Sequence, residues 1–118
     1  LRGGEEMKQV KFNEVKPYKA PLHFDCSTLK LHGTEETGAK EFWMGVTHFL
    51  PGGGAEYAYE DSPTEKIYVV LDGQVTIKTK TEEYVLNKYD SIFIAPNEGR
   101  SIINETNMPA TMLVVVNY

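Results

Sequence analysis

At 118 residues, with 41% hydrophobic and 25% charged side chains, the chain has the length of one domain and the make-up of a globular protein. Its 17 acids outweigh 12 bases for a net charge of −5, which argues against a general binder of nucleic acid or of anionic membranes. No apolar run approaches the roughly 18 residues of a membrane span, and the single cysteine, Cys26, excludes an internal disulfide and a multi-cysteine zinc site.

Residues 1–6 read as an unstructured tail, with Met7 a candidate start. The N-terminal arm runs over residues 1–22, broken by Pro17 and Pro21, with a short strand expected around Val10–Phe12. With no apolar leader core in this arm, a cytoplasmic setting is the default expectation. From 23 to 118 the pattern predicts a single β domain. Thr28–His32 alternates up to Gly33, and Glu35–Lys40 reads as a polar loop. Glu41–Leu50 reads as a strand rich in aromatic and β-branched residues, stopped by a Pro51-Gly52-Gly53-Gly54 turn. Lys66–Leu71 is a strand ended by Asp72-Gly73, a hairpin-turn dipeptide. Gln74–Lys80 alternates as a half-exposed strand. Glu82–Leu86, Ser91–Ala95, Arg100–Asn104 and Thr111–Asn117 follow, separated by turn residues. The run Met112–Val116 is apolar on both faces, so it is either central or covered by another subunit. Many short strands at close spacing, with no helical period, predict an all-β sandwich or barrel.

Two segments carry a family resemblance. The first joins Pro51-Gly52-Gly53-Gly54 to Glu65-Lys66-Ile67-Tyr68-Val69-Val70-Leu71-Asp72-Gly73. The second runs from Asn87 to Glu105 through Asp90, Pro96, Gly99, Arg100, Ile102 and Asn104. In order and near-spacing they resemble the two motifs of the cupin superfamily over roughly residues 40–117. The resemblance implies a double-stranded β-helix barrel of jelly-roll type. In metal-binding cupins the first motif supplies His-x-His and then Glu or Gln, and the second supplies one more His. Counted onto this chain, those slots fall on Ala58, Glu60, Glu65 (or Lys66, counted back from Gly73) and Arg100. None is a histidine, and a cation at a ligand slot repels a divalent ion, so the expectation is a site with no metal and no cofactor.

The candidate groups are weighed singly. Among the 12 basic residues the only arginines are Arg2 and Arg100. Arg100 is either a rim residue paired with an acid such as Glu98, or an inward guanidinium offering a fork to a carboxylate or phosphate. Glu65 and Lys66 adjoin on one strand, so only one faces the barrel. Glu65 shares its face with Ile67, Val69 and Leu71, and simple patterning favours Glu65 inward, as an acid–base group or as a partner of Arg100. Tyr57, Tyr59 and Glu60 sit where the loop would feed the site, lining a ligand mouth or a subunit interface. His48 lies on the Phe42–Met44–Val46–Leu50 face, as a core or interface residue or as a base entering the barrel. His23 and His32 read as loop or edge residues, and Cys26 as a small core residue.

The expectation is therefore a homodimeric cupin-like barrel with a small-molecule partner. It would bind or convert a small polar, anionic metabolite of the sugar-acid or keto-acid type without a metal. Arg100, Lys66, Tyr57 and Tyr59 would hold the ligand, and Glu65, Glu60 or His48 would move a proton in isomerase, epimerase or lyase chemistry. The alternatives are a non-catalytic binding module and a metalloenzyme with His48, Glu60 and Glu65 as unusual ligands.

Overall fold

The computed structural model describes residues 7–59 and 61–118. Eight strands carry it: β1 (His23–His32), β2 (Phe42–Ala58), β3 (Lys66–Asp72), β4 (Val75–Lys78), β5 (Glu83–Leu86), β6 (Ser91–Ile94), β7 (Arg100–Ile103) and β8 (Ala110–Asn117). Their order is β5-β4-β7-β2-β8-β3-β6, with β1 added on β2 and every pairing antiparallel. The result is a nearly closed, barrel-like sheet: all-β as the turns and periodicity predict, and, of the sandwich and the barrel, the one that the cupin resemblance implies. The helical content among the described residues is a 3-10 turn at Phe12–Glu14 and a single turn of α-helix, α1 (Thr34–Thr37), inside the expected polar loop. No helix among the described residues is long and apolar enough to cross a membrane.

Two turn expectations are corrected. Pro51–Gly54 does not stop β2, which runs through it to Ala58. The first half of β2 pairs with β8 and its last part with β7, so one strand serves both halves of the barrel. Glycine is what permits the passage. Gly52 takes φ +80°, and a Cβ at Gly53 or Gly54 would fall 2.1 Å from the Asp25 carbonyl oxygen or 2.0 Å from that of Ile102. Asp72-Gly73 is likewise not a hairpin. β3 pairs with β8 and β6 while β4 pairs with β5 and β7, so this turn carries the chain from one half of the barrel to the other.

The expected strand at Val10–Phe12 is absent: this stretch enters the 3-10 turn. The arm instead docks at Tyr18, whose N–H donates to the Thr28 carbonyl at 2.9 Å and whose own carbonyl accepts from the Thr28 hydroxyl. The tail expectation for residues 1–6 lies outside the described residues. β4 is more buried than its alternation suggests, because Thr76 is enclosed together with Val75 and Ile77.

Cross-strand register sets which residues point inward. One row reads Trp43–Val116–Lys66–Ile94, the next Gly45–Val114–Tyr68–Ile92, the next Thr47–Met112–Val70. Val70, Met112, Phe49, Val75 and Ile77 are almost fully enclosed and form the core. The intervening row, Met44–Val115–Ile67–Phe93, points outward. β8 is the central strand between β2 and β3, which resolves its two apolar faces: Met112, Val114 and Val116 are buried, while Leu113 and Val115 are half-buried on the outer face.

Candidate functional site

Above that core the barrel interior opens into a cavity of about 390 Å³. Its apolar walls come from Trp43 on β2, Val114 and Val116 on β8, and Ile102 on β7. Its polar groups include Lys66 and Tyr68 from β3, Arg100 from β7, Tyr59 just after β2, and Glu98 in the turn before β7. The arm closes one side with Tyr18 and Leu22, joined by His23 at the start of β1, and is pinned by the Glu56 N–H donating to the Leu22 carbonyl at 2.9 Å.

Arg100 shares the inward parity of the buried Ile102, which brings its guanidinium into the cavity. Its Nε donates to the Tyr68 hydroxyl at 3.0 Å. Its guanidinium carbon lies 6.0 Å from the Tyr68 ring centre, and Tyr68 itself is 2% exposed. Arg100 makes no ion pair among the described residues, so neither the rim pair with an acid such as Glu98 nor the pair with an inward Glu65 is formed. A half-buried guanidinium that makes no ion pair with any described residue, in a small-molecule-sized cavity, is an arrangement suited to an anion. His23 Nδ1 donates to the Pro21 carbonyl at 2.8 Å, which leaves Nε2 as the acceptor of the neutral ring.

Other expected site residues are placed elsewhere. Glu65 is on the exposed outer face, where its N–H donates to Asn117 Oδ1 at 2.6 Å. Patterning picks the wrong neighbour because the outer face of this sheet is itself apolar while the inner face turns polar at the mouth. Lys66, one residue on, pairs with Val116 and Ile94 and faces inward. His48 also lies outside the barrel: its Nδ1 is 3.0 Å from Thr111 Oγ1 and its ring meets Phe12 edge-on at 5.7 Å. Tyr57 lines a neighbouring groove and not the cavity, whereas Tyr59 lines both. Glu60 lies outside the described residues. Cys26 packs against the core, and burial first, then the Asp25 carboxylate, push its thiol pKa up.

A metal ion held as in the metal-binding cupins does not fit these residues. Apart from Glu60, which lies outside the described residues, the slots present Ala58 with no donor atom, Arg100 with a positive charge, and Glu65 turned away with the cationic Lys66 facing inward in its place. No group of three or more His, Cys, Asp or Glu among the described residues is arranged to hold a metal. The structure brings together at one mouth three residues that the sequence singles out: Arg100, Lys66 and Tyr59. Sequence reasoning misses Trp43, Tyr18 and His23 as their companions. Trp43 follows once Lys66 is known to share its row, but nothing in the polar arm signals where Tyr18 and His23 dock.

Comparison with known proteins gives a consistent fold. The family model described as the cupin domain matches residues 45–116. A Mycobacterium tuberculosis protein named beta-D-galactosidase is 40% identical over 114 residues, covering 95% of each chain. Among solved structures, the polyketide cyclase RemF from Streptomyces resistomycificus superposes with a TM-score of 0.82 at 22% identity, over 95% of this chain and 80% of that one. A cupin-superfamily sugar phosphate isomerase from Silicibacter pomeroyi gives 0.78 at 17% identity, over 94% and 76%.

Proposed function

The chain belongs to the cupin family, and from that premise we propose that its barrel binds and converts a small polar ligand of the sugar-acid type, without a metal. The observation that carries this reading is Arg100: inward, oriented by Tyr68, and lacking an ion pair among the described residues. The cavity volume of about 390 Å³ falls within the roughly 300–1,000 Å³ of small-ligand sites. Arg100 and Lys66 hold the anionic end, Tyr59 and Tyr68 supply hydroxyls, and the Trp43 face packs on the apolar face of a ring. With Glu65 and His48 outside, proton movement falls to Glu98 and His23 on the cavity wall, and to Glu60 on its motif slot alone. The reaction class is isomerisation, epimerisation or elimination.

A second reading is hydrolysis of a β-galactoside, favoured by the name of the 40% identical relative. In it the glycosidic C–O bond breaks, water adds its hydroxyl to the anomeric carbon, and the leaving oxygen gains a proton. Such chemistry ordinarily uses two carboxyl groups, and Glu98 is the described one on the cavity wall.

Calorimetric titration with D-galacturonate and D-galactose, beside release of p-nitrophenol from its β-D-galactoside, tests both. Galacturonate binding that exceeds galactose binding and is lost in Arg100→Ala supports the first reading. Equal affinities with p-nitrophenol release support the second. Binding without turnover or proton exchange leaves a binding module. A homodimer formed through the apolar outer row, and a cytoplasmic setting in keeping with the free Cys26, belong to the same proposal.

A further inference from the structure

At the mouth of the cavity a groove of about 590 Å³ opens beside it, lined by β4, β5 and β6 and by the turn before β7. β5 and β6 are the two ends of the strand order, so the groove occupies the side on which the barrel is not closed by hydrogen bonds. Tyr59, Glu98 and Arg100 line both spaces, so they are joined at these three residues.

The groove has its own recognition chemistry. Tyr57 and Tyr84 give it aromatic faces, and Lys80, Glu82 and Asn97 give it polar edges. These groups are seated. The Tyr84 hydroxyl donates to Glu82 Oε2 at 2.9 Å, and Lys80 Nζ lies 5.7 Å from the Tyr57 ring centre. Tyr57 lies against the backbone of Gly99, where a Cβ would fall 2.1 Å from its hydroxyl oxygen. Aromatic faces with polar side chains at their edges suit a ring bearing hydroxyls or a flat aglycone.

Resting on the reading that the barrel holds a sugar-type unit, we propose that this groove is a second subsite, which takes the next unit of the same ligand. The substrate class is then a two-unit glycoside, its first ring in the cavity and its second ring or aglycone on Tyr57 and Tyr84. The link between the units passes Tyr59, Arg100 and Glu98.

Calorimetry with two matched pairs of probes tests this: D-galactose against lactose, and methyl against phenyl β-D-galactosiduronate. In whichever pair binds, the two-unit probe binds about three- to tenfold tighter for each tyrosine ring that its second unit covers. Tyr57→Ala and Tyr84→Ala, at exposed side chains that leave the core intact, each reduce that advantage and leave the affinity of the one-unit probe unchanged. Equal affinity within each pair, or variants that weaken both members alike, overturns the second subsite while the barrel reading stands. No binding by any of the four probes overturns the barrel reading and the subsite with it.

Discussion

Arg100 on β7 and Tyr68 on β3 meet across the barrel interior, joined by a 3.0 Å hydrogen bond from Nε to the phenol oxygen. The two strands are not neighbours in the sheet, so the bond is a strut between facing walls. It engages Nε and leaves both terminal nitrogens of the guanidinium for a two-pronged contact.

That division of labour predicts separable effects. Arg100→Ala weakens D-galacturonate about ten- to a hundredfold, the equivalent of about 1.5–3 kcal/mol for a charge-assisted contact. Arg100→Lys recovers part of this, because a point charge cannot reproduce the fork. Tyr68→Phe keeps the charge but frees its orientation, and weakens binding less than Arg100→Ala does. Thermal unfolding on the same variants is the check. A lowered melting temperature with unchanged affinity would make the pair a structural strut only.

Metal content follows from the same residues. Purified protein is expected to carry less than stoichiometric zinc, iron, manganese, nickel or copper by elemental analysis. One tightly bound equivalent, lost on changing Glu60 or Glu65, would reverse the assignment of a metal-free site.

Asn104 predicts the largest loss of stability. It is fully buried, and its amide donates to the carbonyls of Leu50 at 3.2 Å and Met108 at 2.8 Å while accepting from the Thr106 N–H at 3.0 Å and hydroxyl at 2.8 Å. It thus fixes the passage of β2 from one half of the barrel to the other against the β7–β8 turn. Asn104→Ala strands several of these groups and should cost about 3 kcal/mol or more in urea unfolding. A change below about 1 kcal/mol would show that the turn is held by other means.

The outer row predicts the oligomeric state. Ile67 is 44% and Phe93 57% exposed, beside the half-buried Met44 and Val115 on the same row. A contiguous exposed apolar strip of this kind is where association is to be tested. Sedimentation at micromolar concentration should give a dimer that Ile67→Arg converts to a folded monomer. A native monomer, or an Ile67→Arg dimer, would assign the row no such role.

Cys26 gives a pH prediction. Burial and Asp25 keep its thiol protonated to higher pH than in the unfolded chain. Its contribution to stability is therefore present below the unfolded thiol's pKa and lost as pH rises through the folded one. Alkylation by iodoacetamide near pH 8.5, followed by mass spectrometry, should be slower in the native protein than in the urea-unfolded chain. Equal rates would remove the shift.

Most strands are legible in the sequence because strand ends carry turn residues and β-branched runs are local signals. The glycine run in β2 reads as a stop, since sequence does not distinguish a turn from a strand pressed between two backbones. Lys66 and Glu65 show the other limit. Which of two neighbours faces inward is decided by pairing with Val116 and Ile94, distant in the chain, against the local apolar pattern. Arg100 is legible for the opposite reason: a lone internal arginine in a lysine-rich chain stands at a position fixed by its turn.

The placement of β8 between β2 and β3 has a consequence for biosynthesis. Along the chain, the strand that joins these two partners is made after the other seven. Until residues 110–117 have left the ribosome, β2 and β3 each lack a neighbour, and Phe49 and Val70 lack the wall that Met112, Val114 and Val116 supply. Such a barrel closes only once its last strand is free. Its rate of closure is set by pairings between remote segments, which are slow to find. For that interval the apolar faces of β2 and β3 stay uncovered, the state in which a folding chain is most prone to associate.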